Sequence, residues 1–388
     1  MNVPLKYNLR NLFVRRGTTL MTMFSIAFVV LVYVGVLSLA AGLRVAFARA
    51  GDPRNVIVLR EGANSETESF FAIERFRELT TVNGIATDSD GAPLISGELM
   101  LLQIVQREDG TESNVALRGV QPMAFRVRPQ VQIVEGTNFE PGRSQVIVGK
   151  RIASRFPELR LGRTIEFGRT DFQVVGIFDD GGGAFSSEVW GALEDLGAAF
   201  DRVGFVSSAL VQAPSAEHGE VLITSIEADQ RLHLGASSET QYYQQQAQAT
   251  GTQFIVLGNA LAVMMAFGAC FAAANTMYAS VSARAAEIGT LRALGFRRRS
   301  ILGAFLFESA LVGLLAGCVG ALLALPLNSI QTGTTNFVTF SEVSFQLRTT
   351  PDVLAGGILL AILTCLIGGF APAWSASRRP IALLLRER

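Results

Sequence analysis

The chain has 388 residues, 49% of them hydrophobic, with a mean hydropathy of +0.35 and 33 Lys/Arg against 33 Asp/Glu. That is greasier than an ordinary soluble domain yet too charged to be apolar throughout, so a part-membrane, part-soluble protein is expected. Neutrality hides a division: residues 45–250 carry 18 basic and 28 acidic side chains and the remainder 15 and 5, which suits an acidic solvated domain beside a basic membrane-facing part and offers no surface to nucleic acid.

Leu5, Leu9, Leu12 and Phe13 recur at helical spacing with Lys6 and Arg10 opposite, predicting an interfacial helix in 1–16 on the cytoplasmic side. Gly17 to Leu43 is then free of charge for 27 residues, roughly 40 Å of helix against a hydrocarbon core of roughly 30 Å. It is read as a first span over 17–43 rather than a cleaved leader, because its apolar run is about twice as long as a leader's.

Residues 44–252 are expected to form an outer α+β domain with a stalk. "RNVIVL" reads as a strand, "TESFFAIERFRELT" as a helix with Phe71, Phe76 and Leu79 inward, and Val189–Phe200 and Ala216–Asp229 as further helices. "ELMLLQIVQREDGTESNVALRGV", turning at Asp109-Gly110, and "GRTIEFGRTDFQVVGIF" read as hairpins. Catalytic signatures are absent from the sequence. His218 and His233 have no zinc spacing, there is no GxSxG or HExxH, and "GRSQVIVGKR" lacks the glycine that a phosphate loop requires. No metal or nucleotide site is expected in this chain. From Ser237 through "ETQYYQQQAQATGTQ" the only breaker is Gly251, so the second span should extend outward as a stalk, with the surplus length of the first span as its partner.

Further spans are expected at 253–283, 301–327 and 353–377, separated by a basic segment over 284–300 and a short external loop over 328–352, with a tail over 378–388. All three cysteines, Cys270, Cys318 and Cys365, fall in these spans, leaving the outer domain no thiol for a disulfide. Arginines cluster before the first span, between the second and third, and after the fourth, whereas the loop at 328–352 has only Arg348. The positive-inside rule then predicts cytoplasmic termini and a multi-pass protein of the bacterial cytoplasmic membrane.

The basic segment "SARAAEIGTLRALGFRRRSI" holds five arginines and cannot enter hydrocarbon, at about 3 kcal/mol per charge. A tether would explain "FRRRS" but not Ile288, Leu291 and Leu294, an apolar patch on a helix closed by Gly295, which predicts a surface made to be bound. Glu308 is expected to pair with one of Arg297 to Arg299, and Gly313, Gly317 and Gly320 to serve helix packing.

"RAAEIGTLRALGFRRRSILGAFLFESALVGLLAG" resembles the cytoplasmic helix and third span of MacB/FtsX-like permeases, the four-span subunits of type VII ABC transporters. "LRNLFVRRGTTLMTMFSIAF", "EGTNFEPGRSQVIVGKRIASRF", "LGRTIEFGRTDFQVVGIF" and "APAWSASRRPIALLLRER" extend the likeness over nearly the whole chain. The resemblance implies an α-helical membrane protein with four transmembrane helices and a large α+β extracytoplasmic domain between the first and second. It also implies a coupling helix in which Glu287, Ile288, Gly289, Leu291, Arg292, Leu294 and Gly295 seat in a separate ABC ATPase, which would bind ATP and Mg. Further partners so implied are a second permease copy or paralogue, a periplasmic adaptor, an outer-membrane channel and membrane lipids. The implied output is efflux or extraction of a substrate from the outer side of the membrane. The alternatives are FtsX-like control of an extracellular cell-wall hydrolase and lipoprotein release.

Overall fold

Four helices long and apolar enough to cross a membrane account for the hydrophobic runs. The structure is a computed structural model that describes residues 16–380, so the expected interfacial helix and most of the tail lie outside the described residues. In chain order, α1 (Arg16–Ala48) is followed by β1 (Asn55–Arg60), β2 (Phe71–Ala72), α2 (Ile73–Leu79), β3 (Ile95–Gln106) and β4 (Glu112–Val120). Next come α3 (Ala124–Val127), β5 (Gln132–Gly136), β6 (Gln145–Gly149), α4 (Lys150–Ala153), β7 (Thr164–Phe167) and β8 (Thr170–Asp179). Then follow β9 (Glu188–Ala192), α5 (Leu193–Ala199), β10 (Phe205–Val206), β11 (Ser208–Gln212), α6 (Ala216–Ala228) and β12 (Leu234–Ser238). The last group is α7 (Glu239–Ala283), α8 (Ala285–Ala293), α9 (Arg298–Ala324), β13 (Gln331–Thr335), β14 (Glu342–Gln346) and α10 (Pro351–Arg378).

The chain divides into two units. The outer unit is Gly42–Thr252 with Gln331–Gln346, and the membrane unit is the rest. In the outer unit, one mixed sheet runs β12-β1-β11-β3-β4-β9-β6-β8-β5, with β7 paired to β8. The β3–β4 hairpin keeps register from Glu98–Val120 to Gln106–Glu112 and turns through Gly110 at φ 81°. Its alternating Val, Leu and Ile side chains, with those of β1, β6 and β11, make the core under α2, α5 and α6.

Two expected helices begin later than the sequence suggested. Phe71 lies in β2, and Val189–Ala192 belongs to β9. Both short stretches hydrogen-bond to neighbouring strands, Phe71 opposite Val206 and Val189 opposite Leu117 and Val148, so pairing overrides local helical pattern. The loop expected at 328–352 is also more ordered than expected. It contains the β13–β14 hairpin, which belongs to the outer unit.

In the membrane unit, α9 and α10 pack most closely. A methyl group on Gly313 would sit 2.8 Å from the Ala361 carbonyl oxygen and the Ile362 Cα, and one on Gly317 would sit 3.0 Å from the Ile358 Cα. Gly320 faces α1 instead, at 2.6 Å from the Ala27 oxygen by the same measure. Small residues permit this approach where no hydrophobic effect draws helices together.

Candidate functional site

The expected docking element forms α8. It starts one residue after Arg284 and closes with both bonds of a Schellman cap: Gly295 N–H donates to the Arg292 carbonyl at 3.1 Å and Phe296 N–H to that of Leu291 at 3.1 Å. Gly295 adopts φ 93°, which a side chain would strain.

Three contacts hold this short helix against the membrane unit. Ile288, 3% exposed, packs with Val281, Ala285, Ile301, Phe305 and Ala373. The Arg284 guanidinium donates to both oxygens of Glu308, at 3.0 and 3.3 Å, with little of either side chain exposed. Arg292 Nη1 donates to the Ser377 carbonyl at 2.6 Å, reaching the end of α10. Glu308 therefore pairs with Arg284 rather than with Arg297, Arg298 or Arg299, all three of which are exposed. Arg284 stands at the end of α7, beside the third span, whereas the later arginines precede α9 and point to solvent.

Of the expected patch, Ile288 turns inward, Leu291 is half-buried and Leu294 is 68% exposed. Six residues advance a helix by about 600°, leaving Leu294 roughly 120° from Ile288, so the three cannot share one face. Gly289 is buried, while Glu287, Thr290 and Gly295 are exposed. The outward surface is Glu287, Thr290 and Leu294, bordered by the three arginines.

A second charged centre, which the sequence did not reveal, lies in the outer unit. Arg118 on β4, 1% exposed, bonds Glu188 through Nε at 2.7 Å, Glu66 through Nη1 at 2.7 Å and Glu98 through Nη1 at 2.7 Å. Arg128, also fully buried, bonds Glu98 and lies 3.3 Å from Glu239, the first residue of α7. Trp190 Nε1 donates to Glu188 at 2.7 Å and Ser208 Oγ to Glu66 at 2.7 Å. Burial pushes the Glu66 carboxyl upward, but the Arg118 guanidinium and the Ser208 hydroxyl outweigh it and hold the pKa below the ordinary glutamate value. Burial likewise opposes the charge on Arg118, and Glu188, Glu66 and Glu98 more than restore it. The one signal in the sequence was the pair of charges in otherwise apolar strands: Glu98 faces Val120, so Arg118 is its diagonal neighbour.

The β13–β14 hairpin is fixed by a third set of charges. Glu342, with no exposed side chain, accepts from Arg107 Nε at 2.9 Å and Nη2 at 2.7 Å, and Arg155 Nε lies 2.9 Å from its other oxygen. Ser344 N–H donates to Ser187 Oγ at 2.8 Å, and Asn336 Nδ2 to Gln246 Oε1 on α7 at 2.7 Å. His218 lies beside its helix-capping residue Ser215, 2.7 Å from the hydroxyl, and His233 lies 3.7 Å from Glu61 on the surface. Among the described residues no cluster of His, Cys, Asp and Glu could hold a metal ion.

Comparison with known proteins gives two family matches. Residues 19–229 match the MacB-like periplasmic core domain, and residues 259–381 match the FtsX-like permease C-terminal domain. The pyoverdine export ATP-binding/permease protein PvdT of Pseudomonas savastanoi pv. phaseolicola is 27% identical over 66% of this chain and 40% of its own length. The macrolide export ATP-binding/permease protein MacB of Wolinella succinogenes is 28% identical over 62% of this chain and 38% of its own. The chain thus spans less than half the length of these relatives. Among solved structures, the periplasmic region of MacB from Actinobacillus actinomycetemcomitans aligns with 51% of this chain and 94% of its own, at 14% identity and a TM-score of 0.38.

Proposed function

Because this chain belongs to the MacB/FtsX-like permeases, we propose that it is the membrane subunit of an ABC-type export machine, with α8 as the helix through which an ATPase drives it. The observation that carries this reading is the way α8 is held. A nine-residue helix would fray if it were only a tether, yet this one is tied to the third span by Arg284–Glu308 and to the fourth by Arg292–Ser377 while leaving Leu294 uncovered. A helix anchored on one face and bare on the other can receive a push and pass it on. ATP and Mg belong to the ATPase, as the absence of a phosphate-cradling loop from this sequence also suggests. The names of the relatives, which join ATP-binding and permease in one protein, support such a partner. The cargo is taken from the outer side of the membrane, where the sheet domain works, and a second permease copy or paralogue completes the assembly.

The test is Leu294→Asp. Its side chain faces water in the free subunit, so folding and insertion should survive, whereas a carboxylate pressed into an apolar groove loses several kcal/mol. ATPase co-purification and substrate-stimulated turnover should both fall. Arg298→Ala is the control, since one of five arginines can go without loss of the positive-inside bias. Parent-like assembly and coupling in Leu294→Asp would remove the coupling role from α8.

A further inference from the structure

The outer unit contains a groove of about 540 Å³ lined by Arg44 and Ala48 of α1 and by Gln244, Ala247, Gln248 and Thr252 of α7. Its position along both helices is informative. Arg44 is the first charge after the 27-residue uncharged run of α1, and Thr252 stands two residues before the apolar run that begins at Phe254. The groove therefore lies where both helices change from lipid-compatible to polar side chains, at the level of the outer headgroups.

Its chemistry is one-sided. Arg44 is exposed and, among the described residues, has no carboxylate or hydrogen-bond partner. The other polar walls are two primary amides and a hydroxyl, all able to donate, and no acidic side chain lines the groove. On the outer side an arginine gains nothing from the positive-inside rule. A guanidinium offers a planar fork that matches the oxygens of a phosphate in pairs, and neutral donors beside it can complete the shell without repelling an anion.

We propose that this groove binds a phosphate-type oxyanion, with Arg44 as the charged anchor and Gln244, Gln248 and Thr252 as neutral donors. Two sources carry that chemistry: the phosphodiester of an outer-leaflet phospholipid and free phosphate. This site does not depend on the coupling role of α8 and would survive its failure.

The experiment uses the full chain in detergent, titrated with dioleoylphosphatidylglycerol, with dioleoylglycerol, which has the same tails and no phosphate, or with inorganic phosphate, and read by native mass spectrometry. Arg44→Gln should weaken retention of the phosphatidylglycerol about tenfold, the scale of one lost charge-assisted hydrogen bond. Arg44→Lys should keep part of it, and Arg163→Gln, an exposed arginine elsewhere in the outer unit, should keep all of it. Dioleoylglycerol should bind parent and Arg44→Gln alike. Displacement of the phospholipid by inorganic phosphate in the parent, lost in Arg44→Gln, would assign the site to a solute, and its failure would assign it to the lipid. Equal phosphatidylglycerol retention in parent and Arg44→Gln, with no competition by phosphate, would overturn the proposal and leave Arg44 a solvated side chain only.

Discussion

Arg118 makes the centre of the outer unit an ionic one. With three carboxylates on one guanidinium, its removal leaves several buried charges uncompensated, and the cost of breaking such a network is about 3–5 kcal/mol. Arg118→Met should therefore lower the unfolding temperature of the outer unit sharply, and Arg118→Lys should rescue little, because a single ammonium cannot reproduce the fork. Trp190, bonded to Glu188, reports on the centre by fluorescence in a Trp374→Phe background. Acid should act on the same place. The depressed pKa of Glu66 means that its contribution is complete above its ordinary value of 4.5 and is lost as pH falls through the lower folded value. The Trp190 transition should shift to lower temperature as pH falls below about 4.5. A transition that is flat with falling pH would contradict this account.

The close contact of α9 and α10 depends on residues that contribute no side chain. Gly313→Leu would drive atoms into the backbone of Ala361 and Ile362, which cannot turn aside as a flexible side chain can, so a loss of about 1–3 kcal/mol or more is expected. Thermal unfolding of the detergent-solubilised chain should show it, and a melting curve like the parent's would refute the packing. At this level the sequence was informative wherever a signal was local. Long apolar runs marked the four long helices, Asp109-Gly110 marked the β3–β4 turn, and Gly295 marked the end of α8. It was uninformative wherever partners were distant. Glu66, Glu98, Glu188 and Glu239 converge on two arginines from one loop and three elements, and apart from the diagonal Glu98–Arg118 pair nothing in their spacing points to the others. The direction of Ile288 was similarly hidden, since only Val281, Ile301 and Phe305 around it reveal which side of α8 is inward.

For the molecule as a whole, the matched domains make it a multi-pass membrane protein with a periplasmic-type domain between its first two spans. The arginine distribution further predicts that this domain and the β13–β14 hairpin lie outside the cytoplasm, with the termini inside. Single cysteines introduced at Ser113, half-buried near the start of β4, and near Arg379 should then behave oppositely in intact cells. An impermeant maleimide should label the first and spare the second, and the reverse pattern would invert the topology. Residues 328–352 looked like a plain connector because "QTGTTNFVTFSEVSF" is short and its one acidic residue, Glu342, has its partners about 190 and 235 residues upstream.

That hairpin also gives the protein a schedule. The sheet that receives it is complete in sequence by Ser238, yet Arg107 and Arg155 meet Glu342 only after α7, α8 and α9 have been synthesised. At about 5–20 residues per second the delay is on the order of several seconds, during which two guanidiniums wait without the carboxylate that will neutralise them. The outer unit is thus left unfinished until α9 has been synthesised, and a chain that stops short of the hairpin leaves Arg107 and Arg155 without the carboxylate that neutralises them.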